Sequence, residues 1–183
     1  MPYLRASQAR TAFVRSNPDI SVWEKARAAG RLRREAEESP IASFDVFLSH
    51  SSNDAVLIGG IKQLLQNLGL TVYVDWIDDP ELDRKHVTVR TAGWLRRRMM
   101  QSASLVYADT PSAGDSVWMP WELGYADGLH GRVAVLPVVT ASDDEYDGRE
   151  FVGLYRKIEL VGGSLGLGPR AVPSSLRSWV RQR

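Results

Sequence analysis

Short apolar runs separated by stretches of helical periodicity most limit what this chain can fold into. Phe44 to Leu48 (FDVFL), Thr71 to Asp75 (TVYVD), Ser104 to Ala108 (SLVYA) and Val133 to Val139 (VAVLPVV) are rich in β-branched and aromatic residues. Their near-continuous apolarity marks strands buried on both faces. Between them, Val56, Ile58, Ile61, Leu64, Leu65 and Leu68 recur at helical spacing, and Gly69 suits the position that ends such a helix. Arg90 to Ser102 reads as a second helix, with Trp94, Leu95 and Met99 inward and Arg96 to Arg98 outward; a third opens at Ser116. Arg156 to Leu160 reads as a fifth strand, and Pro173-Ser174-Ser175 precedes a last helix ending near Val180. This alternation predicts an α/β fold, a flavodoxin-like three-layer sandwich. Its five-stranded parallel sheet would be covered on both faces, in order roughly 2-1-3-4-5.

The 183 residues suffice for one domain with an extension, and 44% hydrophobic with 25% charged residues is a globular composition. Residues 1–40 differ from the rest, with eight basic against five acidic side chains and much Ala, Arg and Glu. They read as a helical N-terminal extension, with a break at Asn17-Pro18-Asp19 and a helix after it, ahead of a domain over 41–183. A net charge of +1 gives no global pull toward nucleic acid. The lack of cysteine removes disulfides, thiol nucleophiles and thiolate metal sites. The three histidines, His50, His86 and His130, have no metal-ligand spacing, so no metal site is expected. No apolar run approaches the roughly 20 residues that span a bilayer, and MPYLRASQAR is no secretory signal, so the expectation is a cytoplasmic protein.

In such sheets ligands bind beyond the carboxyl ends of the strands. Three segments follow strands on that edge: Ser49 to Asp54, Trp76 to His86, and Asp109 to Glu122. The last contains SVWMPWELG, where Trp118 and Glu122 stand four apart and share a helix face. With Ser116 as N-cap, Pro120 falls in the first turn, where its missing N–H costs nothing, and Glu122 lies near the positive end of the helix dipole. One carboxylate beside aromatic rings suits N-glycosidic cleavage, whose transition state is a sugar cation. A general glycosidase needs two carboxylates. Nicotinamide, already activated by its ring charge, needs only one. Phosphate-cradling G-x-x-x-x-G-K-[ST] and G-x-G-x-x-G motifs and the G-x-S-x-G elbow are missing. Bland readings stand beside these. Trp118 either lines a pocket or packs under a loop. Trp76 either stacks on a base or packs locally. His50 either contacts a phosphate or caps its loop. Arg96 to Arg98 either bind an anion or form a solvated face.

FDVFLSHSSND (Phe44 to Asp54), VYVDWIDDPELD (Val72 to Asp83) and SLVYADTPSAGDSVWMPWELG (Ser104 to Gly124), in this order, resemble a bacterial TIR (Toll/interleukin-1 receptor) domain over about residues 43–160. The resemblance implies an enzyme that cleaves NAD+, with Glu122 catalytic. Ser49, His50, Ser51, Trp76 and Trp118 would bind the substrate. A gating loop would include Asp78, Asp79, Pro80, Glu81, Leu82 and Asp83. It implies no cofactor beyond NAD+ as substrate, and no nucleic-acid or membrane partner. Self-assembly through TIR–TIR contacts is implied, and possibly a separate effector answering a nucleotide signal, as in Thoeris-type anti-phage defence. Two rivals remain: a non-catalytic TIR adaptor, and a nucleoside deoxyribosyltransferase-like enzyme that would ignore NAD+.

Overall fold

The computed structural model describes residues 3–16, 18, 43–75, 88–140, 146, 148–168 and 173–182. Among these, seven strands form one mixed sheet: β1 (Leu4–Arg5), β2 (Phe44–Ser49), β3 (Val72–Tyr73), β4 (Ser102–Asp109), β5 (Val133–Val139), β6 (Arg156–Val161) and β7 (Ser164–Leu167). Five helices accompany them: α1 (Ala6–Ser16), α2 (Ala55–Gln66), α3 (Val89–Met100), α4 (Trp118–His130) and α5 (Pro173–Arg181). The spatial order is β3-β2-β4-β5-β6-β7, and β1 pairs with the far end of β5.

The sheet is larger than the expected five parallel strands. At one edge β6 turns through Gly162 and Gly163, both at positive φ (59° and 82°), into antiparallel β7. Such a Gly-Gly pair is the two-residue hairpin turn whose twist matches the strands. At the other addition, Leu4 and Arg5 run parallel to Val138 and Val139, beyond the point where β6 leaves β5. The N-terminal segment is therefore woven into the sheet. A helix occupies Ala6–Ser16, ahead of the expected break; the helix expected after Pro18 lies outside the described residues.

Strand alternation divides the core into two layers. Val46, Leu48, Val106, Ala108, Ala134 and Leu136 face α1, α2 and α5, which bury Ala9, Ile58, Ile61, Leu176 and Val180 against them. Phe47, Leu105, Tyr107, Val133 and Val135 face α3 and α4, which contribute Leu95, Met99, Met119, Leu123 and Ala126. Burial of side chains this size contributes about 1.5–3 kcal/mol each before the cost of ordering the chain.

The end of α4 carries a half-buried histidine. Gly131, at φ 63°, closes the helix with its N–H on Asp127 O. His130 Nδ1 accepts the Arg132 backbone N–H at 3.1 Å, so the ring must be neutral there. Burial, then the Arg132 charge, hold the His130 pKa below its ordinary 6.5. A depressed folded-state pKa stabilises above the unfolded value and loses that contribution as pH falls through the folded one. Melting temperature should therefore drop on acidification below pH 6.5, and His130→Gln should flatten part of that slope. An unchanged slope in the variant would refute the assignment.

Candidate functional site

The end of β2 and the start of α4 meet at one carboxylate. Glu122 lies one turn into α4 and is completely buried, as is Ser49, the last residue of β2. Ser49 Oγ donates to Glu122 Oε2 at 2.6 Å. Burying a carboxylate is costly, and a short hydroxyl donor offsets part of that cost. Strand register explains the meeting. Ser49 stands opposite Tyr107 of β4 on the α4-facing side, and α4 returns over that side directly after β4.

The helix start differs by one residue from expectation. α4 begins at Trp118 with Val117 as N-cap, and Ser116 acts from outside, its Oγ accepting the Met119 N–H at 3.3 Å. Trp118 is 5% exposed and belongs to the core beneath α4, edge-on to Trp121 at 5.4 Å between ring centroids. Trp121 also stacks on Tyr125, with the Arg96 guanidinium 5.3 Å from its ring centre. Arg98 likewise lies over Tyr73 and Trp94. These arginines are thus partly engaged with rings, beyond a simple solvated face.

The Ser-His-Ser-Ser-Asn-Asp loop is a set of anchors. His50 is 1% exposed. Its Nδ1 is 2.8 Å from Leu48 O, so this nitrogen donates; its Nε2 is 3.2 Å from Asp75 Oδ1, at ion-pair distance but without hydrogen-bond alignment. Asp75 is itself buried and closes the described part of the chain before residue 88. Ser51 is buried and caps a 3-10 turn by accepting the Asn53 N–H. Asp54 Oδ2 accepts from Thr110 Oγ1 at 2.8 Å and from Ser112 Oγ, joining the loops after β2 and β4. Trp76 and the expected gating residues Asp78, Asp79, Pro80, Glu81, Leu82 and Asp83 lie outside the described residues.

A second polar group, absent from the sequence reading, adjoins the carboxylate. Tyr107 and Asp109 project from β4 on the face that carries Ser49. Arg149 Nη2 donates to Tyr107 Oη at 2.5 Å and to Asp109 Oδ1 at 3.0 Å. Tyr146 Oη donates to Asp109 Oδ2 at 2.5 Å. Burial drives the Tyr107 pKa up to about 12; Arg149 opposes this, while Asp109 and Glu122 add to it. Burial, then the hydrogen bond to Asp109, pushes Tyr146 up as well. Both phenols stay protonated at neutral pH. Among the described residues, no three His, Asp or Glu side chains converge as a metal site.

No family model matches the chain. Two curated relatives do. Over 113 residues the chain is 52% identical to a Bacillus cereus (strain MSX-D12) protein named "Probable 3' cyclic ADP-D-ribose synthase ThsB'", covering 61% of this chain and 58% of that one. Over 84 residues it is 34% identical to a Cytobacillus dafuensis protein named "Putative cyclic ADP-D-ribose synthase TIR2", covering 45% and 22%. The matches therefore span little more than half of one relative and under a quarter of the other. The kinship joins an α/β sheet whose carboxyl edge presents Ser49 and Glu122. The chain is thus similar to two proteins named as cyclic ADP-D-ribose synthases, one of them TIR2. No helix among its described residues is long and apolar enough to cross a membrane. In this chain, the resemblance-derived Glu122, Ser49, His50 and Ser51 come together at one edge. Trp118 packs beneath that edge as core.

Proposed function

We propose that this chain is a bacterial TIR protein that cleaves the nicotinamide–ribose bond of NAD+ and closes the ADP-ribose product into a cyclic nucleotide. The observation that carries the reading is the buried Ser49–Glu122 pair at the carboxyl edge of a parallel sheet. The names of the two relatives, both cyclic ADP-D-ribose synthases, agree with it.

The chemistry follows from one fixed negative charge. As the bond from the ribose anomeric carbon to nicotinamide breaks, its electron pair returns to the pyridine nitrogen and cancels the ring charge. The sugar is left cationic. The Glu122 carboxylate, in a water-poor site, stabilises that cation and accepts hydrogen bonds from the ribose hydroxyls. Ser49 holds the carboxylate so that little reorganisation accompanies the reaction. Capture by water would give linear ADP-ribose. Capture by a hydroxyl or an adenine nitrogen of the same molecule, with loss of any displaced proton to solvent, gives a ring. Exclusion of water, here assigned to the stretch from Asp78 to Asp83, favours the ring.

In this reading NAD+ is consumed and no separate cofactor takes part. His50, by its anchoring contacts, fixes the loop that follows β2. Trp76 is the remaining aromatic suited to stack on a base, a role that the buried Trp118 is poorly placed to take. Assembly of TIR copies and a separate effector that answers the product would complete a cytoplasmic, Thoeris-type defence circuit.

The test is mass spectrometry of nucleotides after concentrated protein meets NAD+. The expected result is equimolar nicotinamide and a product lighter than ADP-ribose by one water. Linear ADP-ribose alone would retain cleavage and remove cyclisation. No nicotinamide under concentrated, assembled or phage-triggered conditions would overturn the reading in favour of a TIR adaptor.

A further inference from the structure

The N-terminal segment is linked to the Glu122 carboxylate by a run of side-chain contacts and one strand pairing. Tyr3 precedes β1, and its ring meets the Tyr146 ring at 5.5 Å between centroids. Tyr146 Oη holds one oxygen of Asp109, and Arg149 holds the other. The same Arg149 nitrogen donates to Tyr107, which stands opposite Ser49 in the sheet, and Ser49 holds Glu122. Arg149 is further fixed by Ala113 O at 3.3 Å and by the rings of Tyr107 and Phe151. Meanwhile β1 pairs with Val138 and Val139, at the end of β5 that reaches this edge.

We propose that the N-terminal strand is a positioning element for catalysis, acting through Tyr3, Tyr146 and the Asp109–Arg149 pair on Tyr107 and the Ser49–Glu122 floor. The proposal rests on the NAD+-cleaving reading for its kinetic consequence, but not for its structural one. Three features favour a positioning role over simple packing. The array is polar where a core needs only apolar groups. Both oxygens of Asp109 are held by residues of the stretch after β5, Tyr146 and Arg149, so its orientation is set from outside β4. Tyr146 takes part twice, by its ring toward Tyr3 and by its hydroxyl toward Asp109. Tyr3 and Tyr146 are each only half-buried, so their loss spares the core.

The experiment is a double-mutant cycle on the full chain with Tyr3→Ala and Tyr146→Phe. The second variant keeps the ring contact and removes only the hydroxyl. With NAD+ as substrate, each single variant should lower kcat about tenfold, with KM changed less than twofold, since small displacements of a catalytic group lower turnover steeply. The pair should fall no further than the worse single variant, because both act on one element. Multiplying losses, or kcat values within twofold of wild type, would overturn the proposal. Hydrogen exchange over residues 107–115 supplies a readout that does not depend on activity. There Thr110 N–H is held by Ala108 O and Ala113 N–H by Thr110 O. Tyr3→Ala should raise exchange in this stretch severalfold, and exchange unchanged from wild type would equally overturn the proposal. Should wild type release no nicotinamide, the NAD+ reading fails by itself, and the exchange result alone decides whether the N-terminal strand holds this edge.

Discussion

Glu122→Gln will lower nicotinamide release about a hundredfold to a thousandfold and leave the protein folded. Glutamine keeps the volume of the side chain and an oxygen that can accept from Ser49 Oγ. The only large change is loss of the negative charge. In a buried site that charge acts through few intervening dipoles, and removal of a single oriented stabilising group commonly costs 10²–10³ in rate. Stability moves little. The variant loses the charge-assisted part of the 2.6 Å bond from Ser49, but it also escapes the cost of burying a carboxylate. Ser49→Ala makes the complementary change. It leaves the charge and removes one donor to it, so kcat should fall about tenfold to a hundredfold while KM moves less. Nicotinamide release by mass spectrometry, with circular dichroism melts of both variants, checks the pair. Glu122→Gln turnover within tenfold of wild type would remove Glu122 from the chemistry.

The parts of the fold that were legible in the sequence share a physical cause. A strand buried on both faces must be apolar on both, so Phe44 to Leu48 and Val133 to Val139 stood out, and the observed β5 runs over Val133–Val139. The candidate carboxylate was legible because its neighbours are unusual: two tryptophans and a proline at a helix entrance. What was hidden depended on contacts rather than on local pattern. β1 is two residues long, too short for any periodicity, and α1 buries Ala6 and Ala9, whose small side chains make a faint stripe. Gly162-Gly163 did carry a hairpin signal between Val161 and Ser164, but β7 offers only four residues to follow it. Tyr146 and Arg149 come from an acidic connecting stretch with nothing local to mark them. The available clue was at their partners, since Tyr107 and Asp109 are polar residues two apart at the end of β4, directly after its apolar centre. The tryptophan of the SVWMPWELG stretch shows the converse. Trp118 sits where a substrate-stacking ring was expected, yet the helix turn that brings Glu122 to Ser49 carries this ring into the core.

Gly60→Ala and Gly93→Ala should move stability in opposite directions, although each replaces a helical glycine by the best helix former. The propensity gain is about 1 kcal/mol at either site. At Gly93, in α3, an added methyl meets nothing within 4 Å, so the gain stands alone. At Gly60, in α2, the methyl carbon would lie 1.8 Å from the backbone oxygen of Ala9, and that oxygen cannot turn away as a side chain would. Helices α1 and α2 must separate. The neighbouring contact, the Phe13 ring lying directly over Gly59, opens with them. Overpacking of this kind costs about 1–3 kcal/mol, and loosening Phe13, Ala9 and Leu4 adds the loss of buried area. The clash therefore exceeds the propensity gain. Gly60→Ala should lose about 2 kcal/mol, roughly 4–8 °C in Tm for a chain of this size, while Gly93→Ala gains about half as much. Thermal melts of the two variants side by side measure the difference. A Gly60→Ala protein as stable as Gly93→Ala would mean that α1 does not lie on α2 at this distance, and the anchoring of the N-terminal strand beside the site would fall with it.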